Sequence, residues 1–328
     1  MELILTNEKG NDIRVLNPIK ADFDIGVQND FEVVIPADEW QNDFQFGCRL
    51  YEPNTENGGI IGAIKTDTAE NTITLKGYTW RGLLAKKVIE PPNGADYKTV
   101  KGDLHTVMSS IVQNAFSSVI RSSEIPSGIT ISYQFERYTD MLTGLSKMLL
   151  TKSHKLKIKY VQQEKGAAGF VELSAVPIFD YSEKIELSQD SKLNFVLEKN
   201  KNNVNHLIAL GKGELKNREV IHLYLQKNGT IGKKQFYKGI SEITETYDNA
   251  NSENLEEDSV NHFLELLKST SFSMNIESLD IDVDIGDIVG GRDYITGLYI
   301  KKPLIGKIVT FENGYKTSEY KLEGENWK

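Results

Sequence analysis

A single cysteine, Cys48, stands in a chain of 328 residues, so no intramolecular disulfide can form and zinc sites built on several cysteines are excluded. Cys48 lies between Phe46-Gly47 and Arg49-Leu50, with no helix start and no histidine near it in sequence. That context reads as a small buried hydrophobe, not a nucleophile, and such sparing use of cysteine fits synthesis in a reducing cytoplasm. Histidine is scarce too. His105, His154, His206, His222 and His262 include no His-x-x-x-His pair, so no helical metal site is written in the sequence. His105 is expected on the solvated side of its helix. There is no Gly-x-Ser-x-Gly elbow and no Cys–His couple for nucleophilic catalysis. Gly211-Lys212-Gly213-Glu214 lacks the spacing of a phosphate loop and reads as a turn. No run of about 18 apolar residues exists to span a membrane, and Met1 to Thr6 reads as a first strand, not a signal peptide. Basic residues are in deficit, 38 against 47 acidic, a net charge of −9. Proteins that grip nucleic acid are normally basic, so specific nucleic-acid binding is not expected.

What is present is a repeated pattern. Gly47-Cys48-Arg49-Leu50 is followed by Ile61-Gly62-Ala63-Ile64-Lys65-Thr66, Ile73-Thr74-Leu75-Lys76-Gly77 and Trp80. Gly286-Asp287-Ile288-Val289 is followed by Ile305-Gly306-Lys307-Ile308-Val309-Thr310, Tyr320-Lys321-Leu322-Glu323-Gly324 and Trp327. The shared order suggests a duplicated β-module, with Gly62 equivalent to Gly306 and Trp80 to Trp327. Repeated modules generally serve geometry, as in rings and tubes.

Residues 1–92 read as short strands with regular turns, a small barrel that ends at Pro91-Pro92-Asn93-Gly94. Ile60 to Lys65 and Thr72 to Lys76 predict a hairpin. Residues 93–190 change character. Asp103 can cap a helix whose apolar positions run from Leu104 to Phe116 at helical spacing, and a second helical stripe runs from Tyr138 to Leu149. Leu156, Ile158 and Tyr160 alternate with polar residues, as does the stretch from Phe170 to Ala175, which predicts a hairpin. This middle region reads as helices on one face of an antiparallel sheet, with Met108, Met141 and Met148 as core filling. Residues 191–328 return to β character as a second barrel. A peripheral helix near 252–268 buries Val260, Phe263, Leu264 and Leu267. The fold class is mainly β: two related small β-barrel domains flanking a helix-plus-antiparallel-sheet domain.

Asp280, Asp282, Asp284 and Asp287 form the most suggestive acidic cluster. A calcium loop needs Gly at its sixth position and Glu at its twelfth, where this chain has Ile285 and Gly291. A strand with aspartates on one face explains the pattern more simply. No residue is assigned a catalytic, cofactor-binding or metal-binding role.

The segments Phe31-Glu32-Val33-Val34-Ile35-Pro36, Gly47 to Tyr51, Gly59 to Ile64, Leu75 to Leu84 and Val88-Ile89-Glu90-Pro91-Pro92 resemble the N-terminal half of siphovirus tail proteins. These are the hub or tail-tip proteins of tailed phages and prophages, related to the N-terminal part of tail-associated lysins. The stretch Asp284 to Asp293 is similar to the C-terminal barrel of the same family. The resemblance implies a homotrimeric ring in which two barrels per chain imitate sixfold symmetry, docked on the tail tube and in contact with distal tail proteins. It also implies a virion tail location, synthesis in the bacterial host cytoplasm, and no membrane insertion. With Lys328 directly after the second barrel, the resemblance implies a structural role without the lysin, and an enzyme is not expected. A net-negative surface suits a tube that DNA must pass through without sticking. Two alternatives stand beside it. One is a tail-associated cell-wall hydrolase or peptidase with its site in the middle region. The other is a host-glycan-binding module using Trp40, Trp80 or Trp327, tryptophans that burial in barrel cores would also explain.

Overall fold

The computed structural model describes residues 2–163, 167–182, 195–197, 204–267, 272–274, 283–292, 295–297, 299–312 and 314–322. The chain is mainly β and divides into two compact units, Met1–Asn194 with Asn275–Lys321, and Phe195–Met274 with Leu322–Lys328.

In the first unit a ten-stranded sheet runs in the order Ile288–Arg292, Tyr299–Glu312, Lys20–Ile25, Asp30–Pro36, Thr72–Thr79, Gly58–Asp67, Arg49–Tyr51, Leu3–Thr6 and Asp12–Leu16. Tyr315–Leu322 adds to Tyr299–Glu312 off this path. The predicted hairpin is present, with Asp67 paired to Thr72 and Ile64 to Leu75. Its turn is closed by the Asp67 carboxylate, which accepts from the backbone N–H groups of Ala69 and Glu70.

Two expectations are corrected. No sheet among the described residues closes into a barrel, and residues 299–312 do not belong to a separate C-terminal one. Lys307 to Glu312 pair antiparallel with Ile25 to Lys20, so the late hairpin completes the early sheet. The Thr310 hydroxyl donates to the Asp22 carboxylate at 2.7 Å across this seam. Beneath it lies a core of Phe23, Phe31, Val33, Leu75, Val309 and Phe311, in which apolar residues of the early and late strands pack together.

The punctuation at Pro91-Pro92 also marks no core boundary. Tyr51, Trp80, Leu84 and Ile89 share one core with Leu104, Met108, Leu145 and Met148 from the middle region. The two predicted helices are there, Leu104–Val112 capped by Asp103 and Met141–Leu150 capped by Asp140. Ser117 and Ser118, with φ of 46° and 67°, lie a few residues past the first helix, where the chain turns away. His154–Val161 and Phe170–Pro177 form the predicted hairpin, but Ile120–Ser122 adds to it in parallel, so the sheet is mixed. Thr130–Gln134 pairs separately with Thr99–Asp103.

In the second unit, a four-stranded sheet orders Ile231–Gly232, Val220–Leu225, His206–Leu210 and Thr244–Asp248. The helix Leu255–Leu267 packs on it, and Leu207, Leu223 and Phe263 form the shared core. Leu255, Ser259 and Phe263 face inward, whereas Leu264, expected in the buried stripe, is exposed. The inward face is set by the i, i+4 ladder through Phe263, and Leu264 lies one step round from it. Phe195–Leu197 pairs antiparallel with Phe272–Met274. No helix among the described residues is long and apolar enough to cross a membrane.

Candidate functional site: a lysine-lined cleft

The strand His154–Val161 alternates lysine with apolar residues. Leu156, Ile158 and Tyr160 enter the core, and Lys155, Lys157 and Lys159 point the other way. The turn Asn54 to Asn57 is stitched to this strand: Asn54 N–H donates to Tyr160 O at 3.0 Å and Tyr160 N–H to Thr55 O at 2.8 Å. The segment before Ile288–Arg292 and the strand Tyr299–Glu312 supply further walls. Together they enclose a cleft of about 850 Å³, lined among others by Asn54, Glu56, Lys155, Lys157, Phe179, Tyr181, Asp284, Asp287, Lys307 and Lys316.

Three ion pairs form its floor, two of them buried and the third, Lys307–Asp284, partly exposed. Lys155 Nζ lies 2.6 Å from Asp287 Oδ2, with both side chains under a tenth exposed. The Asp287 carboxylate also accepts from the N–H groups of Phe179 at 2.9 Å and Asp284 at 3.0 Å. Lys307 Nζ lies 3.2 Å from Asp284 Oδ1. Arg81 makes a forked contact to Glu56 and also donates to Leu156 O at 3.1 Å. The five anchoring stretches are distant in sequence, so these charges clamp the turn near 56, the helix at 81, the strand at 155, the loop at 284–287 and the strand at 307.

Burial alone would raise the Asp284 pKa, but Lys307, Arg81 and Lys155 outweigh it and pull it down to about 2. Burial works against the Lys307 cation, yet Asp284 and Glu56 hold its pKa above the ordinary lysine value. Near neutral pH, then, Asp284 stays ionised and Lys307 protonated, and neither is poised to exchange a proton. At the rim Lys159 pairs with Glu172 and Lys316 with Glu52.

Asp284 and Asp287, singled out as an acidic cluster, therefore serve as lysine partners; Asp280 and Asp282 lie outside the described residues. Among the described residues no cluster of histidine, cysteine and carboxylates could hold a metal ion. The lysine alternation at 155, 157 and 159 is the sequence signal for the cleft.

The other sequence candidates are placed as follows. Cys48 is buried, and burial pushes its thiol pKa up. His105 is not solvated as expected: it is 8% exposed, its Nε2 accepts from Ala175 N–H at 2.9 Å and its Nδ1 lies 2.5 Å from Ile125 O. Accepting at Nε2 leaves the proton on Nδ1, so the ring bridges two backbone groups. Trp80 is fully buried and stacks on Tyr160, while Trp40 is half-buried against Phe44. Trp327 lies outside the described residues. Gly211 to Glu214 connects two strands and opens no α-helix.

One cluster was invisible in sequence because strand pairing assembles it. In the second unit Glu242 Oε1 lies 2.6 Å from His206 Nδ1, and His206 Nε2 lies 2.8 Å from His222 Nδ1. His206 is buried and stacks on Tyr224, whereas His222 is exposed. The Glu242 carboxylate can only accept, so His206 Nδ1–H donates to it.

No protein-family model matches the sequence, and no curated protein sequence matches it either. Solved structures do. The 43 kDa tail protein of prophage MuSo2 from Shewanella oneidensis is 10% identical with a TM-score of 0.53, and the match covers 98% of each chain. The tail protein from Neisseria meningitidis MC58 is 12% identical with a TM-score of 0.46, covering 98% of this chain and 96% of that one. The prophage tail protein gp18 from Listeria monocytogenes EGD-e is 11% identical with a TM-score of 0.46, covering 98% and 95%. At such identities the likeness is one of fold, and the fold of this chain is that of a phage-type tail protein.

Proposed function

We propose that this protein is a structural component of a phage or prophage tail, a hub or tail-tip protein and not an enzyme. The observation that carries the reading is the fold shared with the MuSo2 tail protein over 98% of both chains. The cleft supports it, because its buried charges are matched to one another and act as a clamp between distant segments. Three copies assemble into a ring that docks on the tail tube, and DNA passes through it. The end strand Asp12–Leu16, with Ile13 and Val15 exposed, offers each copy an outer edge for a neighbour. The net charge of −9 suits a passage that DNA slides through without binding.

Light scattering and negative-stain microscopy test the assembly. Ring particles of three chains are expected, alone or with the tube protein added. A monomer under both conditions would sink the ring. Cell-wall hydrolysis that a single carboxylate change abolishes would overturn the non-enzymatic reading.

A further inference from the structure

Residues 227–240 hold Lys227, Lys233, Lys234 and Lys238 and no acidic residue, in a chain whose net charge is −9. They begin at a hairpin tip, where Gln226 N–H donates to Thr230 O at 2.7 Å, and continue as the connection between the two outer strands of the second unit's sheet. Lys233 is tied to Glu256 at 2.7 Å, while Lys227, Lys234 and Lys238 are exposed and have no carboxylate in salt-bridge reach among the described residues. Between these lysines sit two exposed apolar side chains, Phe236 at 50% and Ile240 at 106% of full exposure.

Ile240 is not on a loose coil. Gly239, at φ +59°, lets the chain turn; Ser241 Oγ donates to Lys238 O at 2.8 Å and Glu242 N–H to Gly239 O at 3.0 Å. Asn205 then anchors the far side, donating to Ser241 O at 2.8 Å and accepting from Ile243 N–H at 3.0 Å. A hydrogen-bonded turn thus holds a whole aliphatic side chain in water, an arrangement that gains nothing within the unit itself.

We infer that this loop is a docking element for an anionic lipid surface, with the lysines facing headgroups and Phe236 and Ile240 entering the headgroup–acyl boundary. The charge is complementary to anionic headgroups. The apolar side chains select a bilayer over a soluble polyanion, because Ile240 has no ring to stack on a base and gains only from an apolar medium. Such docking is peripheral and differs from spanning a membrane. It is independent of the tail reading.

The test is co-sedimentation of the full chain with vesicles of phosphatidylcholine alone and with about 30 mol% phosphatidylglycerol. Binding is expected only to the anionic vesicles and should weaken with added salt. Lys234→Glu with Lys238→Glu should lower the partition constant by at least about 25-fold, from about five-fold per lysine. Phe236→Ser with Ile240→Ser, which keeps every charge, should lower it by about ten-fold or more. Unchanged thermal midpoints show that these surface variants fold. Absence of binding to anionic vesicles, or binding that the double serine variant leaves intact, overturns the proposal. Preference for an oligothymidine strand over anionic vesicles overturns it in favour of single-stranded nucleic acid.

Discussion

Gly47 and Gly286 occupy the same place in two strand pairs. Both have left-handed backbone, φ +88° and +95°, and both donate to the facing strand, Gly47 to Ile61 O at 2.9 Å and Gly286 to Leu304 O at 2.7 Å. The next residue in each case accepts from that same partner: Cys48 from Ile61 and Asp287 from Leu304. Each pair then continues into a long hairpin, Gly58–Asp67 with Thr72–Thr79 and Tyr299–Glu312 with Tyr315–Leu322.

Alanine at either glycine forces a side chain into the left-handed region. Gly47→Ala should cost about 1 kcal/mol, since its added Cβ meets only Glu8 at 3.5 Å. Gly286→Ala should cost at least twice as much, about 2 kcal/mol or more, because its Cβ would stand 2.9 Å from Lys155 Cβ. Denaturant titration of both variants checks the order; equal losses would contradict it.

The Lys155–Asp287 pair is buried, so removing one partner strands the other charge. Lys155→Met should destabilise the first unit by about 3 to 5 kcal/mol. Adding Asp287→Asn should restore much of that loss, because an amide still accepts from Phe179 N–H while the charge is gone. A double-mutant cycle in urea measures the coupling, and strict additivity would refute a direct pair.

Asp284 should shape the acid limb of stability. Its folded pKa of about 2 lies below the ordinary aspartate value of 3.8. The stabilisation is therefore fully present above about pH 4 and is lost as pH falls towards 2, a difference on the order of 2 kcal/mol. Asp284→Asn should flatten that part of the stability–pH curve and leave its slope above pH 5 unchanged, which thermal melts across about pH 2 to 6 would show.

Asp103 does more than cap a helix. Its carboxylate accepts from His105 N–H, Ser127 N–H, Ser127 Oγ–H and Gly128 N–H at 2.7 to 3.1 Å. Burial opposes its charge, but these donors hold its pKa at about 2. Asp103→Ala should cost about 2 kcal/mol, towards the upper end for cap removal, and should speed amide exchange at Ser127 and Gly128 as well as in the first helical turn.

What the sequence disclosed was local. Asp103 announced its helix because a cap and a 3.6-residue stripe lie within a dozen positions; the second helix was legible from the stripe between Tyr138 and Leu149, and its cap, Asp140, was not. The hairpins at 58–79 and 154–177 were legible from alternation. The repeat was visible, but its alignment of Gly62 with Gly306 is one residue out: hydrogen bonding matches Ile61 to Leu304. Gly62 falls in the bulge between Ile61 and Ala63, so no single offset carries along that strand. The Lys20–Ile25 seam and the His206–His222 contact were hidden, because a strand does not encode the address of its partner. The cleft stayed hidden for the same reason: Lys155 meets Asp287, and Lys316 meets Glu52, more than a hundred residues away.

The seam between Lys20–Ile25 and Tyr299–Glu312 also sets a clock. Asp22 and Thr310 are 288 positions apart. At about 5 to 20 residues per second, the ribosome delivers the second strand about 15 to 60 seconds after the first. For that interval Lys20–Ile25 is a bare hydrogen-bonding edge on a nascent chain, open to pairing with the same edge on a neighbouring polysome. High-level expression should therefore fail by aggregation before it fails by instability, and a slower synthesis rate will not help unless something covers that edge.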